Sequence, residues 1–190
     1  MIKLNVYEFS YPEGFECLFP VNDDDCSLFY FEAQPLSNSW RPIKMELLKN
    51  DADLDPRRRR RLLKESDFPM SCGELVLSQV AKDKIGPYLE QYGEILPLAC
   101  DDRAFWVLNV TTSVDAFDVM NSQFIEEPDT GRMLMIHKHV FHPSKLVGQP
   151  PIFKLSQQPY GSIYVMDSFI DMIKASGLKG LEFEKVWPLD

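Results

Sequence analysis

The chain predicts an α+β fold, a mainly antiparallel sheet with a few packed helices, on three observations. Short apolar runs follow one another across turn-rich joints, and regular strand-helix alternation is absent. Helical periodicity is confined to a few stretches. Forty-five per cent of the residues are hydrophobic, with 13 Phe, 7 Tyr and 3 Trp, which is ample core material for a globular chain. The 190 residues suit one domain over 1–190, and burial of about 70% of the unfolded surface needs no metal or disulfide staple.

The elements follow in order. Lys3 to Phe9 alternates and reads as a strand, and Ser27 to Ala33 is a compact aromatic run that reads as another. Tyr11 to Asp25, with Pro12, Gly14, Pro20 and the Asp23-Asp24-Asp25 triplet, reads as a long acidic loop. Asp55-Pro56 carries a helix-start signal, so Arg57 to Lys64 is expected to be a short helix. Ala81, Ile85, Tyr88 and Tyr92 form a helical stripe that begins near Ser78, with a kink or restart expected at Gly86 before Pro87.

Ile95 to Ala99, Ala104 to Val110, Gln123 to Glu126 and Arg132 to Phe141 read as strands. The Pro128-Asp129-Thr130-Gly131 turn joins the last two into a hairpin. Ile152 to Leu155 and Ser162 to Val165 are strands, Asp167 caps a helix through Ser176 that Gly177 stops, and Leu181 to Val186 closes the chain. Trp106, Phe153, Phe169 and Trp187 are expected in the core.

The net charge of -9 is uneven: residues 1–55 carry -7, residues 56–65 carry +5 and residues 66–190 carry -7. Most of this surface repels nucleic acid, whose affinity rests on phosphate neutralisation, and attracts a basic partner. No basic segment followed by an apolar stretch opens the chain and no run is long enough to span a membrane, so a cytoplasmic location with no membrane partner is expected. There Cys17, Cys26, Cys72 and Cys100, without metal spacing, should remain thiols.

Candidate chemistry is sparse. His137, His139 and His142 are the only histidines, but His142 has the opposite strand parity, so no metal site is expected. Cys72 in Ser71-Cys72-Gly73-Glu74 reads as a buried or half-buried thiol rather than a nucleophile. Phosphate-loop, nucleophile-elbow and dinucleotide motifs are missing. Asp101-Asp102 and Glu126-Glu127 are adjacent pairs, not a spaced acid and base, and Arg57 to Arg61 reads as a solvated or internally neutralised run. No cofactor is expected, and the chain does not read as an enzyme.

Several uncommon blocks recur in a set order: Tyr92 to Asp118, Pro150 to Leu155 and Ser162 to Pro188. They contain Gly93-Glu94, Pro97, Leu108-Asn109-Val110, Val114-Asp115, Ile152-Phe153-Lys154, Gly177-Leu178 and Trp187-Pro188. In order and residue type they resemble immunity protein family eleven of bacterial polymorphic toxin systems. The resemblance runs over roughly residues 66 to 188, leaving 1–65 as a variable N-terminal part and 66–190 as the family-like part.

That resemblance implies a cytoplasmic protein, monomer or homodimer, that neutralises a cognate toxin by occluding its active site, the toxin arriving by a type VI or contact-dependent route. An acidic inhibitor suits a nuclease with a basic cleft. The toxin-binding residues are expected to be Asp23, Asp24 and Asp25 first and Asp101 and Asp102 second. The rival expectations are an effector-loading chaperone or adaptor, and an enzyme that reverses toxin damage.

Overall fold

The computed structural model describes all residues except 1–3, 56, 58, 59, 189 and 190. In chain order the strands are β1 (Val6–Ser10), β2 (Cys17–Pro20), β3 (Lys44–Leu48), β4 (Leu75–Ser78), β5 (Gly93–Cys100), β6 (Phe105–Val110), β7 (Ser113–Val114), β8 (Gln123–Glu126), β9 (Met133–Lys138), β10 (Ile152–Leu155), β11 (Tyr164–Met166) and β12 (Glu182–Trp187). The α-helices are α1 (Asp51–Leu54), α2 (Gln79–Leu89), α3 (Pro143–Leu146) and α4 (Asp167–Ser176). Asp23–Phe29 is a 3-10 helix.

The described residues build two five-stranded sheets, in the orders β12-β1-β11-β10-β7 and β2-β3-β5-β6-β4, and a separate β8-β9 ribbon. Antiparallel pairs predominate, but each large sheet is mixed: β10 runs parallel to β7, and β3 parallel to β5. The expectation of one mainly antiparallel sheet is corrected to that extent. Both parallel pairs join strands distant in sequence, where no turn chemistry announces the partner.

Strand alternation explains how the sheets stack. Leu75 and Leu77 of β4, Leu108 and Val110 of β6, Ile152 of β10 and Val165 of β11 enter one cluster with α2 and α4. Their neighbours of opposite parity go elsewhere. Phe153, Leu155, Tyr164 and Met166 join Phe117, Phe141 and Leu146 beneath the ribbon. Val76, Val107, Phe105, Leu96 and Leu98 join Phe29, Phe31, Ile43 and Met45. A period of two therefore sends each strand's alternate side chains into different cores, and the first cluster is shared by both sheets.

The two longest helices show their causes locally. Ser78 caps α2 by accepting from the Ala81 N–H at 3.1 Å, and Ala81, Ile85 and Leu89 are buried. The helix does not stop and restart at Gly86: α2 runs through Pro87 to Leu89, with buried Ile85 and Leu89 on either side of the proline. Helix α4 buries Phe169, Ile170 and Ile173 and ends on Gly177 at φ 69°. Its N-cap is Met166, not Asp167; that carboxylate instead accepts from Asn5 Nδ2 and Tyr7 Oη at 3.0 and 2.9 Å.

The N-terminal readings change most. The expected loop Tyr11 to Asp25 contains β2, which pairs with β3, a strand the sequence does not signal. The expected strand Ser27 to Ala33 starts inside the 3-10 helix and ends at Ala33 with φ 56°. Phe29 and Phe31 are buried while Leu28 and Tyr30 are exposed, so the alternation is genuine, but among the described residues no neighbouring strand pairs with it.

The expected helix Arg57 to Lys64 is also replaced. Arg60 to Lys64 run without helix, Leu62 bridging Asn50 and Lys64 bridging Phe15, while Pro56, Arg58 and Arg59 lie outside the described residues. Long-range backbone pairing overrides a local start signal here, and the helical turn sits just upstream, over Asp51–Leu54 with an Asn50/Asp53 capping box. Helix α3, which His142 and Pro143 open, is likewise additional to the reading.

Candidate functional site

Lys154 shares the parity of Ile152 on β10, so its side chain points between the sheets. It is fully buried there. Its Nζ donates to Glu74 Oε1 at 2.6 Å and to the Phe31 carbonyl at 2.9 Å. Glu74 immediately precedes β4, so one side chain ties the first sheet to the second and to the segment after the 3-10 helix. Burial pushes the Glu74 carboxyl up to about 7, against the opposing pull of the Lys154 ammonium. Glu74 Oε2 has no hydrogen-bond partner.

Glu74 also lines a cleft of about 220 Å³. Phe29, Tyr30, Gly73, Leu134 of β9, Tyr160 and Ser162 line it as well. A Cys26–Cys72 disulfide, Cα–Cα 5.4 Å, fastens the 3-10 helix to the loop that carries Glu74. This corrects the expectation of four thiols: Cys17 and Cys100 are free, whereas Cys72 is bonded. The pairing joins residues 46 positions apart, which sequence spacing alone does not reveal. A second recess of about 220 Å³ near Tyr11, Phe15 and Leu63 has no buried unpartnered side-chain oxygen or nitrogen on its lining.

The acidic residues singled out from the sequence do not converge. Asp23, Asp24 and Asp25 form the first turn of the 3-10 helix, which follows β2 near the start of β3, where the Val21 N–H donates to the Lys44 carbonyl. Asp23 and Asp24 are exposed, and Asp25 accepts from Asn22 at 3.2 Å. Asp101 and Asp102 follow β5, whose last residue Cys100 pairs with Met45 of β3, and Lys49, just after β3, engages Asp102. Next to them Arg103 is shared between Glu16 and Glu65. The basic run is partly neutralised from within, Arg57 pairing with Asp55 at 3.1 Å.

The histidines do not come together, and the reason is not parity alone. Strand β9 ends at Lys138, so His139 and His142 lie beyond it, and even the same-parity His137 and His139 differ in burial. His137 is exposed. His139 is buried between aromatic rings, its Nε2 3.0 Å from Tyr164 Oη, and burial lowers its pKa to about 4. His142 caps α3 and lies 3.8 Å from Asp118. Among the described residues no three His, Cys, Asp or Glu side chains are grouped to hold a metal ion. Of the four aromatic residues expected in the core, Phe153 and Phe169 are fully buried. Trp106 and Trp187 are only partly so, and Lys82 Nζ lies 5.0 Å over the Trp106 ring.

Sequence reasoning missed Lys154 and Glu74 as partners. The available signal was a lysine inside the otherwise apolar run Ile152-Phe153-Lys154-Leu155, since a buried strand tolerates a charge only when it is paired.

Residues 100–187 match the model of the Immunity protein family (Imm11). That segment spans β6 to β12 and so includes Lys154, Leu134 and Tyr160 of the site, whereas Glu74 and Tyr30 lie upstream of it. No curated protein matches the chain. No described helix is long and apolar enough to cross a membrane.

Proposed function

We propose that this chain is an immunity protein that binds a cognate bacterial toxin one-to-one in the cytoplasm and occludes its active site without performing chemistry. The family match over residues 100–187 carries this reading. The net charge of -9 supports a basic partner, such as a nuclease delivered by a type VI or contact-dependent route. Asp23 and Asp24 are exposed in the first turn of the 3-10 helix, which supports this acidic turn as the first contact. Asp102, engaged by Lys49, is the weaker choice.

Co-expression with the toxin domain encoded beside this gene tests the proposal. Growth rescue and a one-to-one complex on size-exclusion chromatography are expected. Failure of both refutes immunity. Rescue at a small molar fraction of the toxin indicates an enzyme that repairs damage, and loss of toxin export in a deletion strain that remains healthy indicates a loading chaperone.

The acidic turn has its own test. Replacing Asp23, Asp24 and Asp25 with Lys should slow association about tenfold at low salt, and raising salt should narrow the difference, because steering is screened over about 8 Å at physiological ionic strength. Equal rates for parent and variant at low salt would remove these aspartates from the interface.

A further inference from the structure

We propose that Leu28 and Tyr30 form the apolar centre on which the toxin docks, inside a stretch of chain whose only charges are acidic. This rests on the toxin-binding reading above and adds the side chains that hold the partner once it has arrived. The occupant is a toxin surface with an apolar patch ringed by lysine and arginine.

The stretch is 21–32, which contains Asp23, Asp24, Asp25 and Glu32 and no Lys, Arg or His. Asp23, Asp24 and Glu32 are exposed. So are Val21, Leu28 and Tyr30, at 56%, 54% and 64%, which puts three large apolar side chains in solvent within ten residues. Singly exposed apolar residues need no explanation, but a group of them beside charges of one sign marks a contact surface, and the sign selects a basic partner.

The outward row is fixed from beneath. From Leu28 to Ala33 burial alternates, with Phe29, Phe31 and Ala33 inside and Leu28, Tyr30 and Glu32 outside. Phe29 and Phe31 enter the core of the second sheet, the Phe31 carbonyl accepts from Lys154 Nζ, and the Cys26–Cys72 bond ties down the 3-10 helix. Docking therefore has little chain left to order. Among the described residues the Tyr30 ring meets no other aromatic ring or cation, and its hydroxyl has no hydrogen-bond partner. Tyrosine offers a large contact area on few rotatable bonds, which is why it recurs where interfaces are held most tightly.

The other concentration of exposed apolar side chains is the β8-β9 ribbon and the turn before it, with Met120, Ile125, Leu134 and Met135. Charges of both signs accompany it, Glu126, Glu127 and Asp129 against Arg132 and Lys138, so it selects no partner by charge. Leu134 lines the same cleft as Tyr30 and extends the apolar surface toward the ribbon. The two kinds of side chain have separate roles: the carboxylates act at a distance and set the association rate, while Leu28 and Tyr30 act after contact and set the dissociation rate.

The test measures both rates for the full chain and the toxin domain encoded beside this gene. Leu28→Ser combined with Tyr30→Ala should raise the dissociation rate about thirtyfold and change association by less than about twofold. The aspartate variant should do the reverse. Val80→Ser and Val147→Ser, at exposed apolar positions outside the stretch, should alter neither rate. Because Leu28 and Tyr30 are exposed, the double variant should unfold in urea with the parent. If it unfolds earlier, Tyr30→Gln alone decides, with dissociation faster by about tenfold.

A one-to-one complex whose dissociation rate these replacements leave unchanged overturns the proposal while immunity stands. Absence of any complex with the parent chain removes immunity and this surface together. If the free parent dimerises in sedimentation equilibrium and the double variant does not, the surface belongs to a second copy of this chain, and the toxin assignment is overturned.

Discussion

Lys154 and Arg103 are both cations held by carboxylates, yet they occupy opposite extremes of solvent access. Lys154 and Glu74 have side chains 0% and 5% exposed, whereas Arg103 is 32% exposed and one of its two partners, Glu65, is 76% exposed. The difference lies in what happens when a partner is lost. At the edge, water and salt replace the missing charge. Between the sheets nothing does, so the survivor is left as an uncompensated buried charge or must change its protonation.

The largest expected effect is therefore at the buried pair. Lys154→Met should cost about 3–5 kcal/mol in urea unfolding, because it strands Glu74 in the core. Adding Glu74→Gln to it should recover much of that loss, since replacing both charges by neutral groups of similar volume removes the penalty with the attraction. A double variant as unstable as the single one would mean that packing or the Phe31 carbonyl, not charge, sets the cost at this position.

The same region is held covalently, and breaking that bond separates the tether from the ion pair. Closing a 46-residue separation restricts the unfolded chain, so reduction of Cys26–Cys72 should lower stability by about 2–4 kcal/mol. Cys26→Ser should lose the same amount under oxidising conditions and respond no further to reductant. If thiol counting on the untreated protein finds all four cysteines free, the two segments are held at Glu74 by packing and hydrogen bonds alone.

How much of this was legible in the sequence follows from the range of the forces involved. Strands Ile152–Leu155 and Gln123–Glu126 were readable to the residue, and helix Asp167–Ser176 to within one residue at its start, because caps, turns and periodicity are local. Strands β2 and β3 were not readable, since their partners lie far along the chain. The aromatic run 27–33 misled for a related reason: alternating burial marks a core contact, and only a neighbouring strand makes it a sheet. The site was legible only as an anomaly, a lysine in an apolar strand, because its carboxylate lies 80 residues away.

A third buried titratable group sharpens the comparison, since it has a hydrogen bond but no strong counter-charge. His139 has its pKa lowered to about 4 by burial, below the ordinary value of 6.5. Between those values the unfolded chain binds the proton and the folded chain does not, so this group makes stability rise with pH from about 4 to 6.5. Glu74, raised from 4.5 to about 7, acts in the opposite sense, its burial costing more as pH rises through that window. Subtracting the stability of His139→Gln from that of the parent isolates the histidine. The difference should grow in the parent's favour by on the order of 2 kcal/mol between pH 4 and 6.5, with partial solvent screening taken into account. A flat difference would mean that His139 is protonated alike in both states.

The smallest effect belongs to the edge. Arg103→Met removes the cation shared by Glu16 and Glu65 and the guanidinium that lies 5.4 Å from the centroid of Phe105, while keeping an unbranched side chain of similar reach. The expected cost is about 1 kcal/mol at low salt, because Glu65 is solvated and only Glu16 is left poorly placed. Salt then distinguishes the two regions where magnitude alone does not. In 1 M salt the Debye length is about 3 Å, so the Arg103 contribution should shrink by about half, while the cost of Lys154→Met should stay constant because ions do not reach the space between the sheets. Equal salt sensitivity at the two positions would show that solvent and ions enter the Glu74 cleft deeply enough to screen Lys154. In that case the pair behaves as a surface bridge in spite of its burial.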